Sequence, residues 1–77
     1  MPTLLRVDGY RFFFFSDEHL PKHIHIEKSD KYMRIELETL KVTDNYQMTS
    51  KEIREVIQIV EKHKQVFLEA WNEYFNQ

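Results

Sequence analysis

Three of the four histidines in this 77-residue chain lie within seven residues, at His19, His23 and His25. The ordinary pKa of histidine is about 6.5, so at neutral pH its ring can donate a proton, accept one or ligate a metal ion. If residues 23–28 form a strand, His23 and His25 lie on the same face, because alternate side chains of a strand share a face. A turn at Pro21 can bring His19 back beside them. This spacing predicts a histidine cluster that is able to do chemistry.

One interpretation of the cluster is proton transfer on a phosphodiester such as RNA. Metal-independent cleavage of this kind needs one base, one acid and a cation near the phosphate. The chain offers imidazole and cationic side chains for these roles: His23 and His25 as acid and base, Arg34 and Lys22 as phosphate ligands, and His19 and His63 as supporting groups. In this interpretation the protein resembles a ribonuclease in its chemistry, and no cofactor is expected.

A second interpretation is a metal site made of His19, His23 and His25. Imidazole nitrogens suit zinc and other divalent transition metals such as copper and nickel, although no fixed fourth ligand is visible in the sequence. In a third interpretation the rings lie on a solvated strand and hydrogen-bond locally. The protein is then a non-catalytic interaction module.

The elements that must position these residues indicate an α+β fold. We expect one domain over residues 1–77, with a small, mostly antiparallel sheet of three to five strands in residues 1–43. One long C-terminal helix follows over residues 49–76 and packs on one face of the sheet. Asp8-Gly9 is a strong signal for a two-residue hairpin loop. The predicted strands lie at residues 4–7, 10–15, 23–28 and 32–38, with a short edge strand at 40–42.

The alternation of side chains predicts which face of the sheet is buried. The apolar residues expected to face the helix are Ile24, Ile26, Met33, Ile35 and Leu37. The opposite face then presents His23, His25, Glu27, Arg34, Glu36 and one pair of the phenylalanines at positions 12–15.

The helix has a clear start and an apolar stripe. Thr49 and Glu52 match a capping box, in which each side chain bonds the other's backbone amide. Apolar residues follow at helical spacing: Ile53, Val56, Ile57, Val60, Phe67, Leu68, Trp71, Tyr74 and Phe75. A helix over residues 50–75 is about 39 Å long, whereas a short strand spans about 17–20 Å. The aromatic end of the helix, residues 71–75, is therefore expected to need cover from the N-terminal hairpin or from another chain.

Composition limits the classes of protein that remain. The chain has no cysteine, which excludes disulfides and thiolate zinc sites and is typical of a reducing cytoplasm. No apolar run reaches membrane-spanning length, and the residues from Met1 lack the regions of a signal peptide. The net charge of −2 does not suit a general polyanion binder. We therefore expect a cytoplasmic protein with no membrane partner.

Several of these features together resemble a small bacterial family, Domain of Unknown Function 4160 (DUF4160). They are the opening Met1-Pro2-Thr3, the turn at Gly9 before an aromatic strand, the His19-x-Pro21-x-His23-x-His25 core, and a helix with Glu61-x-His63 ahead of Glu69-x-Trp71. The resemblance implies a toxin–antitoxin-like gene pair, in which a small antitoxin-like protein from a neighbouring gene is the partner. It also raises the prospect of a toxin that acts on RNA. Homo-oligomers through the sheet face or the aromatic end of the helix are a further expectation.

Overall fold

The computed structural model describes residues 3–75 and has an α+β architecture. Five strands form one antiparallel sheet in sequence order. The elements are β1 (Thr3–Val7), β2 (Tyr10–Phe13), β3 (His23–Lys28), β4 (Lys31–Glu36), β5 (Val42–Tyr46), α1 (Ser50–Lys62) and α2 (Lys64–Phe75). The fold class and the sheet are confirmed. Residues 1, 2, 76 and 77, which the predicted domain and helix include in part, lie outside the described residues.

The predicted hairpin loop joins β1 to β2 at Asp8 and Gly9. Both residues have positive φ angles, 54° and 85°, as the two central positions of a type I′ turn require. Glycine adopts such angles without steric cost, and this explains why the Asp-Gly pair is an effective signal.

The boundaries of four strands differ from the prediction. β1 begins one residue earlier, at Thr3, and β4 spans residues 31–36 instead of 32–38. β2 ends at Phe13 instead of residue 15, because the Phe15 amide donates to the Glu18 carboxylate at 2.9 Å and the chain leaves the sheet. The edge strand lies at 42–46 instead of 40–42. A turn over residues 37–39 continues into Leu40, which has a positive φ of 62°, so pairing with β4 begins only at Val42.

The prediction of one long helix is only partly correct, because the helical segment divides at His63. The His63 backbone has φ −107° and ψ 13°, and its amide reaches the carbonyls of both Ile59 and Val60. A straight helix over residues 50–75 would be about 39 Å long, longer than the largest dimension of the described chain, 33 Å. A break at His63 therefore lets the helical segment fit the short sheet. The predicted capping box of Thr49 and Glu52 is present at the start of α1.

The core lies between the sheet and the two helices. All five residues predicted to face the helix are fully buried there. Phe12 and Phe14 point into this core, whereas Phe13 and Phe15 contact His25 on the other face. The aromatic end of the helical segment is covered in part from within the chain, since the Phe14 ring contacts three residues there: Trp71, Tyr74 and Phe75. Tyr74 stays 57% exposed. Within residues 3–75, neither helix is long and apolar enough to cross a membrane.

Candidate functional site

Two neighbouring side chains of β3 and one side chain of the preceding loop form a compact polar group. The alternation of β3 places His23 and His25 on the same face. Glu18 lies in the loop between β2 and β3, and its carboxylate accepts hydrogen bonds from both rings. His23 Nε2 donates to Oε1 at 2.9 Å, and His25 Nε2 donates to Oε2 at 2.7 Å. We call Glu18, His23 and His25 the carboxylate–histidine cluster.

The other nitrogen of each ring also has a partner within the protein. His23 Nδ1 donates to the Pro21 carbonyl at 2.7 Å, because a carbonyl oxygen can only accept. His25 Nδ1 lies 2.6 Å from the Tyr32 hydroxyl. A neutral His25 that donates from Nε2 accepts at Nδ1, so the hydroxyl donates to it. All four ring nitrogens of the two histidines are therefore engaged, and both rings have fixed orientations.

Aromatic side chains surround the cluster on the face of the sheet opposite the helices. His25 is only 2% exposed. Its ring centroid lies 4.3–5.9 Å from those of Phe13, Phe15 and Tyr32. The His23 ring lies at the start of β3 and reaches Trp71 of α2, with 5.1 Å between the ring centroids. The cluster is thus held between the open sheet face and the end of the helical layer.

The carboxylate of Glu18 is held in its ionised form. Burial of its side chain acts to raise the pKa. The hydrogen bond from the Phe15 amide, the hydrogen bond from His23 and the charges of the two histidines outweigh this effect. The pKa of Glu18 therefore lies below its ordinary value, as expected for a carboxylate that accepts several hydrogen bonds.

The two side chains deeper in the site are held neutral. Burial lowers the pKa of His25, and the charge of Glu18 opposes this effect only in part. The charges of His23 and Arg34 lower the pKa of His25 further. Burial also raises the pKa of Tyr32, which keeps its hydroxyl protonated and able to bond His25.

A cleft of about 310 Å³ opens beside the cluster. Its lining residues are Glu18, His19, Leu20, Pro21, His23, Arg34, Glu36 and Thr43. Glu18 and His23 reach the cleft directly, whereas His25 lies behind them and is not among the lining residues. A molecule in the cleft would therefore meet the cluster through Glu18 and His23.

The structure brings some of the predicted site residues together and separates others. His23 and His25 meet in the cluster, but the third member is Glu18, while His19 is exposed and lines the cleft. Arg34 lines the same cleft. His63 lies in the helical layer, where its Nδ1 donates to the Ile59 carbonyl at 2.9 Å and its ring lies 6.0 Å from that of Phe67.

Lys22, the second predicted phosphate ligand, stabilises the sheet through its backbone carbonyl. Its carbonyl accepts a hydrogen bond from the Leu37 amide at 2.9 Å, which ties the start of β3 to the end of β4. Lys22 is not among the residues that line the cleft.

Two residues of the site, Glu18 and Tyr32, were not predicted from the sequence. Glu18 directly precedes His19, so a carboxylate beside the histidine motif was a visible signal. Tyr32 lies two residues before Arg34, which pairs with His25 across the sheet. Side chains in this diagonal relation can touch when they are aromatic. Recognising Tyr32 therefore requires the register of β3 against β4.

The cluster contains a donor set that suits a metal ion. One nitrogen from each histidine and one carboxylate oxygen of Glu18 lie within 4.8 Å of one another. Imidazole nitrogens and a carboxylate are among the usual ligands of zinc.

Comparison with known proteins identifies one relationship. A family model described as "Domain of unknown function (DUF4160)" matches residues 9–72, from the first hairpin loop into α2, and this range includes the whole cluster and every residue that lines the cleft. No curated protein matches the chain. No solved structure matches it either.

Proposed function

We propose that this chain, which belongs to the DUF4160 family, binds a divalent transition-metal ion, best matched by zinc, at the carboxylate–histidine cluster. The proposal depends on one observation above all. One nitrogen of His23, one nitrogen of His25 and an oxygen of Glu18 lie within 4.8 Å of one another, a grouping that could hold a single metal ion. Glu18 thus takes the place that the sequence suggested for His19.

The hydrogen bonds behind the cluster support this proposal. Histidines that ligate metals almost always bond a carbonyl, carboxylate or water through their other nitrogen, which fixes the ring. His23 bonds the Pro21 carbonyl in this way, and His25 bonds the Tyr32 hydroxyl. A hydroxyl can also accept, so Tyr32 can hold the ring of His25 when Nε2 ligates an ion and Nδ1 carries the proton.

The position of the cluster favours a reactive site over a purely structural one. Structural zinc sites have four protein ligands, whereas catalytic sites have three and leave a position for water or substrate. The cluster supplies three ligands, and Glu18 and His23 border the cleft. A zinc ion with such an open position supplies an activated water, which suits hydrolysis.

The metal-independent ribonuclease-like interpretation has less support. An acid or base must have a nitrogen within reach of the substrate. Every nitrogen of His23 and His25 already has a protein partner at 2.6–2.9 Å. Direct proton transfer by these rings would break one of the four hydrogen bonds. A metal ion would instead replace the Nε2 protons and the two hydrogen bonds to Glu18 with bonds from the ion to the same three side chains, so each of them keeps a partner.

Metal analysis of the protein purified without a histidine tag tests the proposal. We expect about one equivalent of zinc, and zinc titration by calorimetry should give one site. Replacement of the Glu18 carboxylate by an amide in Glu18→Gln should weaken zinc binding at least about 10- to 100-fold, since even the outer partners of metal ligands have effects of this size. Glu36→Gln is the matched control, because Glu36 lines the same cleft outside the cluster.

Two results would overturn the proposal. One is wild-type protein that neither contains nor takes up a transition metal. The other is zinc binding that Glu18→Gln and Glu36→Gln reduce equally, since the cluster would then not be the site.

A further inference from the structure

We infer that the cleft beside the carboxylate–histidine cluster binds the phosphate group of a phosphate ester, with the guanidinium of Arg34 as its anion ligand. We further infer that this binding requires the metal ion. The inference rests on the metal-binding function proposed above and specifies the class of ligand for the same site.

Arg34 is placed and oriented to bind an anion in the cleft. It lies on β4 directly opposite His25, and residues in this relation have neighbouring side chains. Its Nε donates to Thr43 Oγ1 at 2.9 Å, which fixes the plane of the guanidinium. Within residues 3–75, Arg34 forms no ion pair, and its two terminal nitrogens have no hydrogen-bond partner.

The absence of an ion pair at Arg34 among the described residues is notable, because two carboxylates that could accept its hydrogen bonds line the same cleft. These are the carboxylates of Glu18 and Glu36. Glu18 is occupied by the two histidines, and Glu36 accepts from the Thr39 hydroxyl at 3.1 Å. The terminal nitrogens of Arg34 therefore remain available for a ligand, and a guanidinium presents them as a fork that matches two oxygens of a phosphate.

The charge of the cleft makes binding depend on the metal. The lining of the cleft includes the carboxylates of Glu18 and Glu36 and the guanidinium of Arg34. A divalent ion at the cluster adds positive charge beside them. The metal-loaded cleft therefore attracts an anion more strongly than the empty one.

The arrangement of donors favours a phosphate over a carboxylate. A metal ion at the cluster and the guanidinium of Arg34 would be two separate cationic groups of one cleft, and His19 offers a further ring at the cleft wall. A phosphate has oxygens that point in several directions, whereas the two oxygens of a carboxylate lie in one plane. A volume of about 310 Å³ lies at the lower end of the range of small-molecule pockets. It can hold a phosphate with one attached group.

Calorimetric titration of defined probes tests the inference. Adenosine 5′-monophosphate presents a terminal phosphate, and adenylyl-(3′,5′)-adenosine presents an internal phosphodiester. Adenosine and acetate serve as controls for the base and for simple anions. We expect at least one phosphate probe to bind zinc-loaded protein at least 10-fold more tightly than zinc-free protein, with neither control binding comparably. Preference between the two probes distinguishes a nucleotide ligand from an RNA-like one.

Replacement of Arg34 tests its assigned role as the anion ligand. Arg34→Gln should weaken binding of the phosphate probe about 10- to 100-fold, as expected for loss of hydrogen bonds to a charged group, while zinc affinity stays within about threefold. Arg54→Gln is the matched control, because Arg54 is exposed on α1. The comparison of zinc-loaded and zinc-free wild-type protein remains decisive if a variant does not fold.

The outcomes separate this inference from the proposed function. Zinc binding without binding of either phosphate probe would overturn the inference and leave the metal site standing. Equal phosphate binding with and without zinc would also overturn it, as would equal effects of Arg34→Gln and Arg54→Gln. Failure of zinc to bind would overturn both.

Discussion

Glu18 joins the two histidines of β3 into a single site. Each of its carboxylate oxygens accepts a hydrogen bond from one ring, and the Phe15 amide donates to the same carboxylate. The opposite nitrogens of the rings are bonded to Pro21 and Tyr32. Because all four ring nitrogens and both carboxylate oxygens have partners within the protein, the rings cannot rotate freely. Such preorganisation is what a metal site requires.

Tyr32 should act as a positioning residue for His25. Its hydroxyl lies 2.6 Å from His25 Nδ1, so Tyr32→Phe removes only the atom that orients the ring. We expect zinc affinity to fall about 10-fold, at the lower end of the range for partners behind a metal ligand. Calorimetry measures the affinity, and the absorption spectrum of cobalt-substituted protein reports the geometry at the ion.

The control for Tyr32→Phe is Tyr46→Phe. Tyr46 pairs with Tyr32 across the sheet, but it is 56% exposed on the edge strand β5. It should leave zinc affinity and the cobalt spectrum unchanged. If Tyr32→Phe has no larger effect than Tyr46→Phe, the assigned role of Tyr32 is wrong.

At the scale of elements, the start of α1 is tied to the β3–β4 hairpin through Glu52. The Glu52 carboxylate accepts from the Thr49 amide at 2.9 Å and from Lys31 Nζ at 3.0 and 3.1 Å. These bonds lower its pKa to about 2, first through the Thr49 amide and then through Lys31. One side chain thus completes the helix cap and joins the helix to the sheet.

The lowered pKa of Glu52 predicts a stability difference that depends on pH. A folded-state pKa of about 2 lies below the ordinary value of 4.5. The stabilisation by Glu52 is therefore fully present above about pH 4.5 and is lost as the pH falls towards 2. Glu52→Gln should lower the Tm at pH 7, and the difference from wild type should shrink at pH 2.

Thermal unfolding followed by circular dichroism measures this effect, with Glu69→Gln as the control. Glu69 is exposed on α2, and its replacement should leave the Tm nearly unchanged at both values of pH. A difference for Glu52→Gln that persists unchanged at pH 2 would contradict the ionic explanation.

At the scale of the whole molecule, the sheet lies between most of the apolar core and the candidate site, and the His23 ring contacts the core at Trp71. The core lies on the helix side, whereas His25 and Tyr32 lie on the other face. A domain of 77 residues has a small core, so each large buried side chain contributes much of the stability. Phe67 of α2 is 1% exposed, and its ring stacks on Phe12 with 5.8 Å between centroids.

Truncation of Phe67 should therefore destabilise the fold without any direct effect on the site. Phe67→Ala should reduce the free energy of unfolding by about 3–5 kcal/mol, as measured by urea denaturation. Val66→Ala, at a neighbouring position that is 57% exposed, should change it by less than about 0.5 kcal/mol. Similar losses for the two variants would show that the packing of Phe67 is not what stabilises the domain.

The expectation that the protein binds a partner protein remains a prediction. The resemblance of the sequence implies a small antitoxin-like protein from a neighbouring gene, and co-purification of the two products tests it. The predicted need for cover at residues 71–75 is met in part by Phe14. That end of the helical segment is therefore a weaker reason to expect a partner than the sequence suggested.

Local patterns in the sequence determined the type and order of the elements. The Asp8-Gly9 loop, the alternation along β3 and β4, and the capping box at Thr49 each depend on residues close together in the chain. For the same reason, the sequence alone predicted that His23 and His25 share a face. The break at His63 was not predicted, because the apolar stripe continues through it and only the size of the sheet limits the helix.

Only the tertiary structure decided which residues complete the site. Whether Glu18 or His19 contacts the two histidines depends on the conformation of the loop between β2 and β3. That conformation cannot be predicted from a periodic pattern in the sequence. The role of Tyr32 depends on the register of β3 against β4, and the separation of His63 from the cluster depends on how the helices pack. Hydrogen bonds and packing between distant segments set these positions, so they follow from the folded chain and not from the spacing of its residues.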